Sequence, residues 1–213
     1  MWNYEKRLQY PVCITKSNPA IAKVIISQFG GPDGELSASM RYLSQRYAMP
    51  YREVAGLLTD IGTEELAHME MICAMVRQLT QDLTPEEIQK SGFDTYYVDH
   101  TLGLWPAAAS GIPHNACEYQ SKGDPITDLF ENMAAEQKAR ATYDNILRLV
   151  KDPEVGDPIR FLREREVVHF QRFGEGLRLV TDRLNSKNFY AFNPAFDKPA
   201  GVGNTPGQNC MDC

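Results

Sequence analysis

The chain has 213 residues, room for one ordinary domain with a substantial core. Apolar residues make up 43%, which excludes disorder throughout, and no apolar run approaches the length of a membrane span. The 28 acidic residues outnumber the 22 basic ones, giving a net charge of −6, which argues against nucleic acid or an anionic membrane as the main partner.

Residues 1–17 are aromatic, polar and irregular, without the apolar stretch of a secretory signal, so synthesis in the cytoplasm is expected. Asn18-Pro19 suits a helix start, because proline is tolerated in the first turn. Ile21, Val24, Ile25 and Gln28 follow at helical spacing. Gly30-Gly31-Pro32-Asp33-Gly34 then breaks the pattern, and it resumes from Glu35 through Leu36, Met40, Leu43 and Tyr47. Residues 35–48 alone are too short to match a partner helix over 52–79. One long helix with a kink near Pro32 is therefore expected, with Glu35 just beyond the kink.

Along 52–79, positions 54, 58, 61, 65, 68, 72, 75 and 79 form one face reading Val, Leu, Ile, Glu, His, Ile, Met, Leu. Residues 80–123 lack clear periodicity, apart from a capped turn at Thr84-Pro85-Glu86-Glu87. Such a long connection lets the helices on either side of it run in the same direction. His100 and His114 fall in it and read as solvated loop residues. A third helix starts at Asp124-Pro125 and carries Leu129, Met133, Glu136, Arg140, Tyr143 and Leu147 on one face. Asp152-Pro153 and Asp157-Pro158 separate it from a fourth, whose face reads Ile159, Leu162, Glu166, His169, Phe173, Leu177, Val180, Leu184. The fold class is all-α: a ferritin-like four-helix bundle over 1–184 with one long crossover, flanked by extended N- and C-terminal segments.

Residues 185–213, rich in Asn, Pro, Gly and aromatics, form an extended tail that cannot build a core of its own. The aromatics Phe189, Tyr190, Phe192 and Phe196 favour docking on another surface, such as a neighbouring subunit. Of the five cysteines, Cys73 reads as a small buried apolar residue, and Cys13 and Cys117 are scattered. Cys210-x-x-Cys213 has no second pair with which to form a metal knot, so two tail thiols are expected.

The chemistry lies in a repeat. Glu35 and Glu136, Glu65 and Glu166, and His68 and His169 are each 101 residues apart, and so are Tyr42 and Tyr143. A single Glu-x-x-His on a helix is usually a solvated face. Two copies in the middle of apolar stripes, each preceded by a Glu at equal spacing, are different. A Glu and a His three apart stack on one helix face, so both pairs point into the core. Four buried carboxylates without a cation would be costly. A dinuclear metal centre needs this set: one Glu from each of two helices and Glu-x-x-His from each of the other two. Oxygen and imidazole donors without thiolate suit manganese or non-haem iron. Tyr42, Arg140 and Tyr143 share the ligand faces and could orient carboxylates or hold an added anion. Glu64 could face the site too, but the repeat selects Glu65, because Arg165 stands where Glu64 would recur. Spacing alone leaves Glu166 open as a sixth ligand.

Gln28 to Leu36, Glu64-Glu65-Leu66-Ala67-His68-Met69-Glu70 and Ala134-Ala135-Glu136 resemble the manganese catalases over nearly the whole chain, and most of all the spore-coat CotJC-type branch. That resemblance implies two manganese ions per chain, disproportionation of hydrogen peroxide, a hexamer, and deposition in a spore coat beside other coat proteins. It implies Glu35, Glu65, His68, Glu136 and His169 as ligands, Glu166 as a proton-moving carboxylate off the metal, and Tyr42 as a hydrogen-bond partner of the centre. Ala135 departs from members with Arg at that position. Two other readings share the ligands: a di-iron oxidase or ferroxidase, and a mainly structural coat protein with a metal site.

Overall fold

The segment before Glu35 decides how the first bundle helix is built. Asn18 accepts a hydrogen bond from the Ile21 amide, and Pro19 occupies the first turn of α1 (Pro19–Ile25). The computed structural model describes residues 7–100 and 103–184, with His100 described by its backbone alone. After α1 come α2 (Ser27–Gly30) and α3 (Glu35–Gln45). The expected single kink is thus two breaks, one at Ile26 and one across Gly31–Gly34. Glu35 is the first residue of α3, which places its carboxylate at a helix start. A Cβ at Gly30 would sit 2.2 Å from the Ala107 amide nitrogen, so glycine lets the crossover backbone lie directly on this turn.

α4 (Arg52–Thr80) is followed by α5 (Pro85–Ser91), whose start is the anticipated cap: Thr84 and Glu87 exchange side-chain and backbone hydrogen bonds. α6 (Asp94–His100) and a short 3-10 turn at Ala116–Glu118 are further structure in the crossover that periodicity did not signal. α7 (Pro125–Leu149) is capped by Asp124, which accepts from the Thr127 amide at 2.8 Å. α8 (Pro153–Arg183) is capped by Asp152. Pro158, expected in the connection, lies inside α8 instead. It removes only the bond to the Glu154 carbonyl, close to the helix start, where half-exposed backbone can be solvated.

Cross-helix pairings fix the directions. Tyr42 meets Glu136 while Tyr143 meets Glu35, so α3 and α7 are antiparallel. Glu64 meets Arg165, Asp60 meets Arg172 and Glu53 meets Arg183, so α4 and α8 are antiparallel too. Short loops make α3–α4 and α7–α8 antiparallel pairs. It follows that α4 and α7 run the same way, as the long crossover requires.

The core comes in two apolar layers. One holds Met71, Ile72, Met75, Leu79, Tyr143, Ile146, Ile159 and Leu162, together with α1 and crossover residues such as Phe93 and Tyr96. The other holds Tyr42, Leu58, Ile61, Leu129, Phe173 and Val180. Along α4 the sequence positions 65 and 68 fall between these layers, so the polar residues are sealed from both ends. Within the described residues, 7–17 form no helix and lie along the bundle. Val12 and Ile14 are buried, the Ile14 amide donates to Gln78 on α4, and the Thr15 amide and hydroxyl both donate to Glu154 on α8. Cys73 is half-buried rather than buried, and burial pushes its thiol up to about 12. The tail aromatics, Cys210 and Cys213 lie outside the described residues. No described helix is long and apolar enough to cross a membrane.

Candidate metal centre

The four bundle helices α3, α4, α7 and α8 deliver six side chains to the same point. Glu35 comes from α3, Glu65 and His68 from α4, Glu136 from α7, and Glu166 and His169 from α8; all six are at most 2% exposed. Glu65 is central. Its two oxygens lie 2.8 Å from Nδ1 of His68 and 2.8 Å from Nδ1 of His169. Glu35 adds an oxygen 3.6 Å from His68 Nδ1, and Glu136 adds one 3.5 Å from His169 Nδ1. The set therefore splits into two half-sites, each with one His and one terminal Glu, sharing Glu65. The imidazoles face each other with centroids 5.4 Å apart and planes 19° from parallel. Donor atoms of Glu65, His68, Glu166 and His169 all lie within 4.8 Å of one another. Glu166 is placed differently from Glu65: it approaches His68 only to 4.0 Å. The repeat is thus equivalent in sequence and unequal in space.

The donors fit cations better than they fit one another. Glu65 Oε1 and His169 Nδ1 are close, yet neither makes an aligned hydrogen bond, and Glu136 Oε2 and Glu166 Oε1 are also buried without a partner. Buried polar atoms are rarely left so. Burial and the charge on Glu65 push Glu35 up to about 7. Burial and Glu65 raise Glu136 as well, and burial with the charges of Glu35, Glu136 and Glu65 raises Glu166 well above the carboxylate range. Burial works against charge on Glu65 too, but His169 and His68 outweigh it and hold its carboxyl low. Without cations the cluster avoids negative charge by holding protons, and divalent cations on these donors would take the place of those protons.

The tyrosines of the repeat are exchanged across the bundle. Tyr42 donates to Glu136 at 2.5 Å and Tyr143 donates to Glu35, so each fixes the terminal carboxylate of the other half. Arg140 does not join them. Its guanidinium turns outward to Gln137 and Asp144, because the half-exposed Asp144 one turn on offers a cheaper partner than the dry core. His114 is not a free loop histidine: it sits half-buried with Nε2 3.2 Å from the Tyr119 hydroxyl. Glu64 is the residue that the repeat argument set aside. Its carboxylate lies 3.1 Å from Nε2 of His169 and 3.7 Å from Nε2 of His68, and it is gripped by Arg165 through Nε and Nη2 at 2.8 and 3.1 Å. One carboxylate therefore backs both imidazoles on the side away from the centre, and its own repeat counterpart, Arg165, holds it. Such outer partners orient metal-binding histidines and raise their basicity. Glu64→Gln should keep the fold and weaken metal binding roughly 10–100-fold, measured by competition with a chelator. An unchanged affinity would leave Glu64 a surface ion pair.

A family model described as "Manganese containing catalase" matches residues 1–199. The chain belongs to the manganese catalase family. Among its relatives, Protein CotJC of Bacillus subtilis (strain 168) is 51% identical over 190 residues, covering 89% of this chain and 100% of that protein. A probable manganese catalase of Clostridium acetobutylicum is 35% identical, covering 89% of this chain and 85% of the relative. Among solved structures, the manganese catalase KatB from Anabaena PCC7120 matches with a TM-score of 0.78 at 28% identity, covering 88% of this chain and 84% of that one. The manganese catalase match thus spans both halves of the repeat, and all six clustered carboxylates and imidazoles lie within it.

Proposed function

We propose that this chain disproportionates hydrogen peroxide, two molecules giving two waters and one oxygen, at a centre of two manganese ions held by Glu35, Glu65, His68, Glu136 and His169. The observation that carries the reading is Glu65, whose two oxygens face one imidazole each at equal distance, as a carboxylate shared between two ions would. Two such ions would supply storage for the two electrons that pass between peroxide molecules. The chain's own residues do the rest. Tyr42 and Tyr143 hold Glu136 and Glu35 in one orientation each, so the terminal carboxylates do not swing as charge changes. The apolar layers on either side exclude bulk water. Glu166, raised by burial and by its carboxylate neighbours, is suited to take a proton from peroxide at its unpartnered Oε1 and return it to a departing water.

By its resemblance to the spore-coat CotJC-type branch, the chain is read as a homo-oligomer, a hexamer on the family pattern, deposited in a spore coat; its 51% identity to Protein CotJC supports the placement in that branch. Elemental analysis of protein from its native source, paired with an oxygen-electrode assay on peroxide, tests the reading. Two manganese per chain and one oxygen per two peroxides are expected. Iron in the centre with no oxygen released would favour the di-iron oxidase instead.

A further inference from the structure

Beside the three carboxylates Glu35, Glu136 and Glu166 lies a small recess with neither histidine in its wall. Its volume is about 10 Å³, close to the room that one water-sized group needs. Ala135 and Ala139 of α7 present only methyl groups to it, and Arg41 of α3 supplies a cation. Arg41 is 1% exposed. Its Nη2 donates to the Pro32 carbonyl at 3.4 Å, while Nε and Nη1 have no hydrogen-bond partner among the described residues. Asp33 at the same recess is not its counter-ion, because Lys138 already pairs with that carboxylate at 2.9 Å.

A buried guanidinium with two unused donors is costly, and such a group calls for an explanation. The neighbouring carboxylates cannot supply one once they are committed to cations. We propose that Arg41 is a binding residue: its buried charge and one unused N–H donor form a subsite for a small singly charged anion at the mouth of the centre. Under the peroxide reading given above, on which the identity of the natural ligand rests, that anion is hydroperoxide. Nε–H and Nη1–H leave opposite edges of the guanidinium, so one of them, together with the delocalised charge, meets the anion. Room for one water-sized group admits one end of a slender anion such as hydroperoxide or azide and rejects the broader carboxylates and phosphate.

Azide is the probe, titrated by calorimetry into the metal-loaded protein with acetate as the size control. R41M should retain its metal and bind azide about tenfold or more weakly, as expected for losing a hydrogen bond to a charged group. R41K should recover part of that loss, and acetate should show no dependence on position 41. Equal azide affinity in wild type and R41M, or no azide binding by wild type, overturns the proposal. If R41M fails to fold, R41Q decides: undiminished azide affinity in that uncharged variant overturns the proposal. Oxygen release, measured alongside, separates the two readings. Arg41-dependent azide binding without oxygen release leaves the subsite standing and removes peroxide as its ligand. Oxygen release with azide binding indifferent to Arg41 does the reverse.

Discussion

His68→Ala and His169→Ala should each empty at least one half of the centre. Either variant removes the only imidazole from its half-site, so the fall in metal affinity should exceed the roughly 10–100-fold that an outer partner is worth. The remaining carboxylates then lose both their cation and their cationic neighbour, and melting temperature should drop with metal content. Full occupancy by elemental analysis in both variants would refute the shared centre. Chelated wild-type protein gives the complementary sign. Without metal, Glu35 is raised from 4.5 to about 7, so its folded state holds a proton that the unfolded state releases earlier. Its contribution is favourable below the unfolded value and is lost as pH rises toward 7. His169, raised from 6.5 to about 12 by Glu65 and its other carboxylate neighbours despite burial, has the same sign: full stabilisation below 6.5, lost above it. Glu65, held low, acts in the opposite direction only as pH falls below its ordinary range. The metal-free protein should therefore melt at falling temperature as pH is raised from about 5 to about 8, and the gap to the metal-loaded protein should widen. A metal-free melting temperature that is flat or rising over that interval contradicts the assignment of these buried groups.

The bundle and its ligands were legible because one period governed both. Helical spacing put Glu65 and His68 on the same stripe as Val54, Leu58 and Ile61, and the 101-residue offset duplicated that stripe in the second half. What the offset could not carry is any feature that breaks it. Glu64 and Arg165 occupy equivalent positions with opposite charge, which reads as a failed repeat, yet the antiparallel α4 and α8 bring those very positions together. The charge reversal was the signal: equivalent residues near a pseudo-twofold axis can meet, and only unlike charges can do so favourably. Arg41 carried no signal of that kind. Between Met40 and Tyr42 it reads as an ordinary helix charge, and its burial depends on the Gly31–Gly34 turn folding Pro32 back over α3. Arg140 failed for the opposite reason. It shares the Glu136 face, but a long side chain at a half-exposed position reaches solvent-side partners, and periodicity does not see where a guanidinium ends.

Glu166→Gln should separate ligand from proton carrier, and its effect on turnover should be large. Glutamine keeps the shape of the side chain and can still fill the space beside Glu35 and Glu136. It cannot accept a proton and give it back. Geometry already sets Glu166 apart from Glu65: it stands 4.0 Å from the nearer histidine nitrogen, borders the recess that Arg41 lines, and keeps Oε1 free of hydrogen bonds. Burial and three neighbouring carboxylates raise its pKa well above that of a free glutamate, so it favours holding a proton in the metal-free cluster. Bound cations would oppose that and bring it toward the range where proton uptake and release both proceed. A positioned acid–base group of this kind contributes about 10²–10⁴ in rate. Oxygen release by Glu166→Gln should fall by at least about a hundredfold, with two metal ions per chain retained. Loss of one ion would show that Glu166 is a ligand, whereas unchanged oxygen release would remove it from the reaction.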